Sequence, residues 1–207
     1  MYLIWRMRGI GMDCLSMMIL LTPLVLALQK VSGRRIWSLH TGFLMMYACT
    51  LAGIFSVTGL PNIKYCEIDF STNFIPMADI LNSPEQYFFN VLMFIPVGFL
   101  LPILWERYGS WKYLMGFGCF LTVFIETAQI FTFRTTDIDD LITNLLGAGL
   151  GFLAVRALGQ KLRIPLPLEA GYGYMEKAGP WMILLIAFLV NFLIQPYWSA
   201  FFWDSML

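Results

Sequence analysis

The chain has 207 residues, of which 59% are apolar and only 13% charged, and its mean hydropathy is +0.72. Soluble domains carry about 25% charged residues, so this composition predicts an integral membrane protein. The 13 basic and 13 acidic residues balance, and the sequence has no basic tract or recognition motif that would favour nucleic acid as a partner.

Six apolar segments follow one another along the chain, at about 11–28, 37–60, 87–105, 113–131, 141–158 and 180–203. A helix needs about 20 mostly apolar residues to cross a hydrocarbon core of about 30 Å. The sequence therefore predicts an all-α, polytopic transmembrane bundle that forms a single domain over 1–207. We expect six spans, or five if the first segment, which contains Asp13 and Pro23, does not fully cross.

Lysine and arginine placement predicts the orientation in the cytoplasmic membrane. Nine basic residues lie in or beside connections 29–36, 106–112 and 159–179, and four lie on the opposite side: Arg6, Arg8, Lys64 and Arg134. This asymmetry places loops 61–86 and 132–140 outside the cell. Arg6 and Arg8 do not fit it, so the orientation of the N-terminus stays open.

Polar residues gather around the 132–140 connection. Glu126 interrupts an apolar and aromatic stretch, and Gln129 shares its helix face at i+3. Beyond them lie residues predicted at the same membrane face by helix parity: Arg134, Asp137, Asp140, Asn144 and, from the third segment, Asn90. Thr136 or Asp137 is a plausible N-cap. Ionisable groups inside membrane helices usually face a bundle interior or a watery cavity, so we expect a polar pocket, with Asp139 off the stripe and solvated.

The polar side chains of this region have two alternative roles, interhelical hydrogen bonding and metal binding. In the first, they would hold the helices together, with Arg134 paired to a carboxylate. Gly147 and Gly151 are spaced as a close helix-packing face. The carboxylates could recruit Mg²⁺ or Ca²⁺, but no metal motif is complete, and neither the lone His40 nor the cysteines suggest a cofactor.

The polar run resembles the VanZ-like family. The likeness rests on the run Glu126-Thr-Ala-Gln129, on Thr136-Asp137-Ile138-Asp139-Asp140, on Ile142-Thr143-Asn144 and on Gly147 and Gly151. It also rests on Asn90-Val-Leu-Met-Phe94-Ile-Pro96-Val-Gly98 and, more weakly, on Asn73-Phe74-Ile75-Pro76. The likeness covers about 70–155, and the apolar segment at about 11–28 is an addition before this core.

The resemblance implies a membrane protein of a Gram-positive-type envelope that lowers sensitivity to the glycopeptide teicoplanin. One mechanism is binding: Asn90, Gln129, Arg134, Asp137 and Asn144 would hold an envelope lipid or the drug's polar portion. The other is an enzyme that acts on an envelope lipid or lipid-linked precursor, with Glu126 and Asp140 as acid and base. A Ser–His or Cys–His mechanism is disfavoured because His40 lies toward the other face. A transporter fits poorly, since no inverted repeat is visible.

Overall fold

The computed structural model describes residues 2–33, 35–64, 66, 72–73, 84–132, 136–162 and 174–206. The helices are α1 (Tyr2–Val31), α2 (Leu39–Thr58), α3 (Pro84–Leu104), α4 (Trp111–Gln129), α5 (Ile138–Leu162), α6 (Tyr174–Leu189) and α7 (Gln195–Met206). A 3₁₀ turn, Glu106–Gly109, precedes α4, and a π-helical stretch, Val190–Ile194, joins α6 to α7. Two short strands, β1 (Thr72–Asn73) and β2 (Thr136–Asp137), pair in parallel. The predicted all-α class is confirmed.

Local sequence signals explain several helix ends. The Ser38 side chain accepts a hydrogen bond from the Thr41 N–H and so caps the start of α2. Gly59 ends the same helix in the left-handed region at φ 64°, a conformation that costs glycine nothing. Pro84 opens α3, where its missing N–H would have had no helical partner, and Glu85 follows in the first turn.

Five helical stretches are long and apolar enough to cross a membrane: Arg8–Val31, Leu39–Thr58, Pro84–Leu104, Ile138–Lys161 and Lys177–Phe201. The chain is therefore a multi-pass membrane protein. The first segment belongs to this group, and its Asp13 carboxylate accepts hydrogen bonds from Gln195 and Ser199 of α7 at 2.9 and 2.8 Å. These bonds explain how α1 carries a carboxylate within the bundle.

α3 and α5 run parallel and make the most extensive helix contact in the described part of the bundle. The contact depends on glycine. A Cβ atom on Gly98 would overlap the backbone of Ala148, one on Gly147 would overlap the carbonyl of Val91, and one on Gly151 would overlap the carbonyl of Ile95. The missing side chains let the two backbones approach closely, as small residues do in membrane helices.

α4 runs antiparallel to α3 and α5 and lies against both. Near its middle Gly118 faces Leu145, and near its end Glu126 reaches Asp137 at the start of α5. Because α3 and α5 begin at the same end of the bundle, α4 must carry the chain back across. At 19 residues α4 is one residue shorter than α2, and its polar residues include Lys112, Glu126 and Gln129.

The two ends of the bundle differ in charge. We call the end at which α3 and α5 begin and α4 ends the acidic end. The opposite end carries most of the basic residues that the structure describes: Lys30, Arg35, Arg107, Lys112, Arg156, Lys161 and Lys177. The acidic end carries Arg8 and Lys64, and the Lys64 ammonium donates to the Pro196 carbonyl at 3.2 Å. Arg34 and Arg163 lie outside the described residues.

Candidate functional site

The first turn of α5 carries the candidate site because three carboxylates are concentrated there. Asp137 directly precedes the helix, and its Oδ1 accepts the Asp139 N–H at 3.0 Å, as an N-cap residue does. Asp139 and Asp140 follow in the first turn, where the partial positive charge of the helix N-terminus stabilises acidic side chains. β2 ends at Asp137 and pairs its backbone with Asn73 of β1, so the 61–83 connection meets the chain at this point.

Asp140 is joined to α3. The Asn90 side-chain amide donates to Asp140 Oδ1 at 2.5 Å, and the exposed Gln86 amide donates to the same oxygen at 3.4 Å. Gln86 lies one turn before Asn90, so two successive turns of α3 face one carboxylate. This arrangement is possible because α3 and α5 are parallel and both begin at the acidic end.

Asp139 differs from the sequence prediction, which expected a solvated side chain. It is only 3% exposed, and its Oδ2 accepts the Tyr87 hydroxyl at 2.6 Å. The prediction was wrong because it considered only the stripe of Asp137, Asp140 and Asn144. The close glycine contact brings α3 beside a second face of α5, and that face includes Asp139.

Glu126 enters the site from α4. Its side chain is 7% exposed, and its Oε2 accepts the Asp137 N–H at 3.1 Å. Its carboxyl group also lies close enough to that of Asp140 for the two to interact electrostatically. Helices α3, α4 and α5 therefore meet at a group of four carboxyl groups, Glu126, Asp137, Asp139 and Asp140, which we call the acidic cluster.

Three buried oxygen atoms on α4 and α5 have no hydrogen-bond partner among the described residues: Thr122 Oγ1, Gln129 Oε1 and Asn144 Oδ1. Thr122 lies one turn before Glu126 on α4, and Asn144 lies one turn after Asp140 on α5. The antiparallel pairing of α4 and α5 puts these two residues at similar depth, one turn farther into the bundle than the Glu126–Asp140 pair.

The predicted site residues do not all lie together. Asn90 donates to Asp140, and Glu126 accepts from the Asp137 N–H and lies close to Asp140. Gln129 instead turns toward α2, where its amide donates to the Thr58 carbonyl at 3.2 Å. Arg134 lies outside the described residues, as do Phe74, Ile75 and Pro76 of the weaker motif.

Sequence reasoning missed Gln86, Tyr87 and Thr58. A signal for the first two was present, since both lie about one turn before Asn90 near the start of α3. Thr58 contributes only its backbone carbonyl, which no residue-type pattern can indicate. Among the described residues, no three His, Cys, Asp or Glu side chains are arranged to hold a metal ion.

A family profile covers the residues of this site. The profile of the VanZ/LLP1 family matches residues 14–159, which include nearly all of the described stretch from α1 to α5 and every residue of the acidic cluster. No curated protein and no solved structure matches the chain. The match begins in α1 and so extends well before the motifs at about 70–155. Because it covers more than half of the sequence, the chain belongs to the VanZ/LLP1 family.

Proposed function

We propose that this protein lowers sensitivity to teicoplanin-type glycopeptides by binding an envelope lipid, or the polar portion of the drug, at the acidic cluster. The observation that carries the proposal is the convergence of four carboxyl groups from two helices at one end of a membrane bundle. A charged side chain at the centre of a transmembrane helix costs about 2.5–3.5 kcal/mol on insertion scales, and Glu126 is buried one turn from the end of α4. Such residues are by default functional, and packing alone would be served by apolar side chains.

The unpartnered oxygen atoms support binding and indicate what the ligand must offer. A buried polar atom without a partner costs about 1–3 kcal/mol. Asn144 Oδ1 only accepts hydrogen bonds, and the Thr122 hydroxyl can also accept. A ligand group rich in donors, such as hydroxyl, amide N–H or ammonium, would satisfy them.

The charge asymmetry of the bundle supports an outward-facing site. Basic residues favour the cytoplasmic side of a membrane, and most of the described ones lie at the end opposite the acidic cluster. In this orientation the cluster would lie at the outer surface of the plasma membrane of a Gram-positive-type cell. Envelope lipids and glycopeptides are both present there.

An enzyme that acts on an envelope lipid or lipid-linked precursor is the second candidate. The proximity of the Glu126 and Asp140 carboxyl groups favours it. Two carboxyl groups that lie close together can divide the roles of general acid and general base between them. Arg134 would hold an anionic group of the substrate.

The test removes charge while preserving side-chain shape. We expect Glu126→Gln and Asp140→Asn each to restore full teicoplanin sensitivity, while the protein still accumulates in the membrane at near-normal levels. Interhelical hydrogen bonds in membranes average about 0.6 kcal/mol, so neither change should unfold the bundle. The measurement pairs the minimum inhibitory concentration with the membrane abundance of each variant.

Glu85→Gln is the matched control, because Glu85 is an exposed carboxylate in the first turn of α3 at the same end of the bundle. It should behave like the wild type. If both cluster variants retain full resistance at normal abundance, the carboxylates are structural and the proposal is refuted. Turnover of an envelope lipid extract by purified wild-type protein, lost in Glu126→Gln, would favour the enzyme over the binding protein.

A further inference from the structure

A cavity of about 430 Å³ opens toward the surface between α2 and α3. Its walls include Met46, Cys49 and Thr50 of α2 and Pro96, Phe99 and Leu100 of α3. The lining is almost wholly apolar, and the Thr50 hydroxyl already donates to the Met46 carbonyl at 2.8 Å. The groove offers nothing to a polar ligand, but it suits a hydrocarbon chain.

The near edge of the groove lies close to the bilayer midplane. Pro96 lies ten residues after Gln86 on α3, which corresponds to about 15 Å at 1.5 Å per residue. Half of a hydrocarbon core is also about 15 Å. The methyl end of an acyl chain whose headgroup is level with Gln86 would therefore reach the edge of the groove at Pro96.

One face of α3 connects the groove to the acidic cluster. Gln86, Phe89, Met93, Pro96 and Leu100 are spaced three and four residues apart, so they form a single stripe along the helix. At the top of the stripe the Gln86 amide donates to Asp140. Below it Phe89 is 54% exposed, which leaves its apolar surface open to a neighbouring chain.

We propose that the groove holds one acyl chain of a membrane lipid whose headgroup lies at the acidic cluster, an inference that rests on the proposed function. The lipid has a headgroup with hydrogen-bond donors for the cluster and a chain that follows the α3 stripe to the space between Cys49 and Pro96. The bound species is thus a lipid from the leaflet at the acidic end. The acidic cluster binds its headgroup, and the groove binds one of its acyl chains.

Photolabelling tests the inference. The full-length protein is placed in phosphatidylglycerol vesicles that contain a trace of phosphatidylglycerol with a diazirine near the methyl end of one acyl chain. After illumination, the labelled peptides are mapped by mass spectrometry. We expect labelling to concentrate on the segments around Cys49 and Pro96. Cys49→Phe, which fills the groove from an exposed position, should reduce that labelling several-fold.

Cys119→Phe is the matched control, since Cys119 is an exposed cysteine on α4 that does not line the groove. It should leave the labelling unchanged. Thr50→Phe fills the same groove from the adjacent position and replaces Cys49→Phe if that variant fails to accumulate. Even labelling of all lipid-facing helices, unaffected by either filling variant, would show only the surrounding bilayer and overturn the inference.

The tail of a lipid-tailed glycopeptide is the other occupant of the groove that photolabelling distinguishes. Labelling by a glycopeptide that carries the diazirine in its tail, with none by the phospholipid, would assign the groove to the drug and overturn the lipid assignment. The proposed function is decided separately by the drug sensitivity of Glu126→Gln and Asp140→Asn. A negative photolabelling result would therefore refute lipid binding in the groove and leave the proposed function untouched.

Discussion

Three carboxylates at the start of α5 take their hydrogen bonds from three directions. Asp137 accepts from its own helix, Asp139 from the Tyr87 hydroxyl and Asp140 from the Asn90 amide. Neighbouring positions in the sequence therefore have different roles: one caps a helix and two join α5 to α3. Among these bonds, the one from Tyr87 to Asp139 joins a partly buried donor to a buried acceptor, so it can be tested by removing a single oxygen atom.

We expect Tyr87→Phe to lower the stability of the purified protein by about 1–3 kcal/mol, because it removes a donor from a buried carboxylate. The thermal unfolding midpoint in detergent measures the effect. Tyr113→Phe is the control, since the Tyr113 ring is 43% exposed. Equal midpoints for wild type and Tyr87→Phe would mean that this hydrogen bond contributes nothing to stability.

The contact between α3 and α5 is the element on which the site depends. The glycines at 98, 147 and 151 allow this approach, and it brings Asn90 and Tyr87 beside the first turn of α5. Gly116 on α4 provides a contrast, because a Cβ atom there would meet nothing within 4 Å. Replacing glycine with alanine should therefore destabilise the protein at Gly147 but not at Gly116.

We expect Gly147→Ala to reduce membrane accumulation and thermal stability, since its new methyl group would overlap the Val91 carbonyl and force the helices apart. Gly116→Ala should be neutral or stabilise the protein by about 0.4–1 kcal/mol, because alanine restricts the unfolded chain. Immunoblots of membrane fractions and thermal unfolding measure both. Normal accumulation and stability of Gly147→Ala would show that the helices can separate at little cost.

At the scale of the whole molecule, α4 determines the topology. Its direction, opposite to α3 and α5, requires a crossing between them, although α4 is not among the five stretches identified above from length and composition. The polar residues are concentrated toward its ends, with Lys112 in the first turn and Glu126 and Gln129 near the last. Between them, Phe120 and Val123 present apolar surface outward.

Labelling with a membrane-impermeant maleimide tests both the crossing of α4 and the orientation. In a protein whose other cysteines are changed to serine, the exposed Cys66 should react from outside intact cells. Thr132→Cys should react likewise in a cysteine-free protein, because it follows α4 at the acidic end. Ser110→Cys, at the start of α4, should react only after permeabilisation.

Two other labelling patterns would contradict the topology. Reaction of Thr132→Cys only after permeabilisation, like Ser110→Cys, would mean that α4 does not cross. Reaction of Ser110→Cys alone in intact cells would invert the orientation and place the acidic cluster in the cytoplasm.

The class of fold, and the end of the bundle at which the polar residues lie, follow from the amino-acid sequence alone. Apolar segments of about 20 residues have one stable form in lipid, the helix, because every backbone hydrogen bond must be made internally. Each crossing reverses the chain, so counting crossings places Asn90, Glu126 and Asp140 at one end without any knowledge of packing. Family membership was likewise readable from the order and spacing of the polar residues.

Which of these residues contact one another depends on tertiary packing. The neighbour that a side chain faces depends on how its helix is rotated and on which helix lies beside it. Neither is encoded in the periodicity of a single helix. The glycine contact turned α3 toward Asp139 and buried a side chain that the stripe had placed in solvent. Because α2 lies beside the end of α4, the Gln129 amide donates to the Thr58 carbonyl. Buried amide groups are hydrogen-bonded in folded proteins.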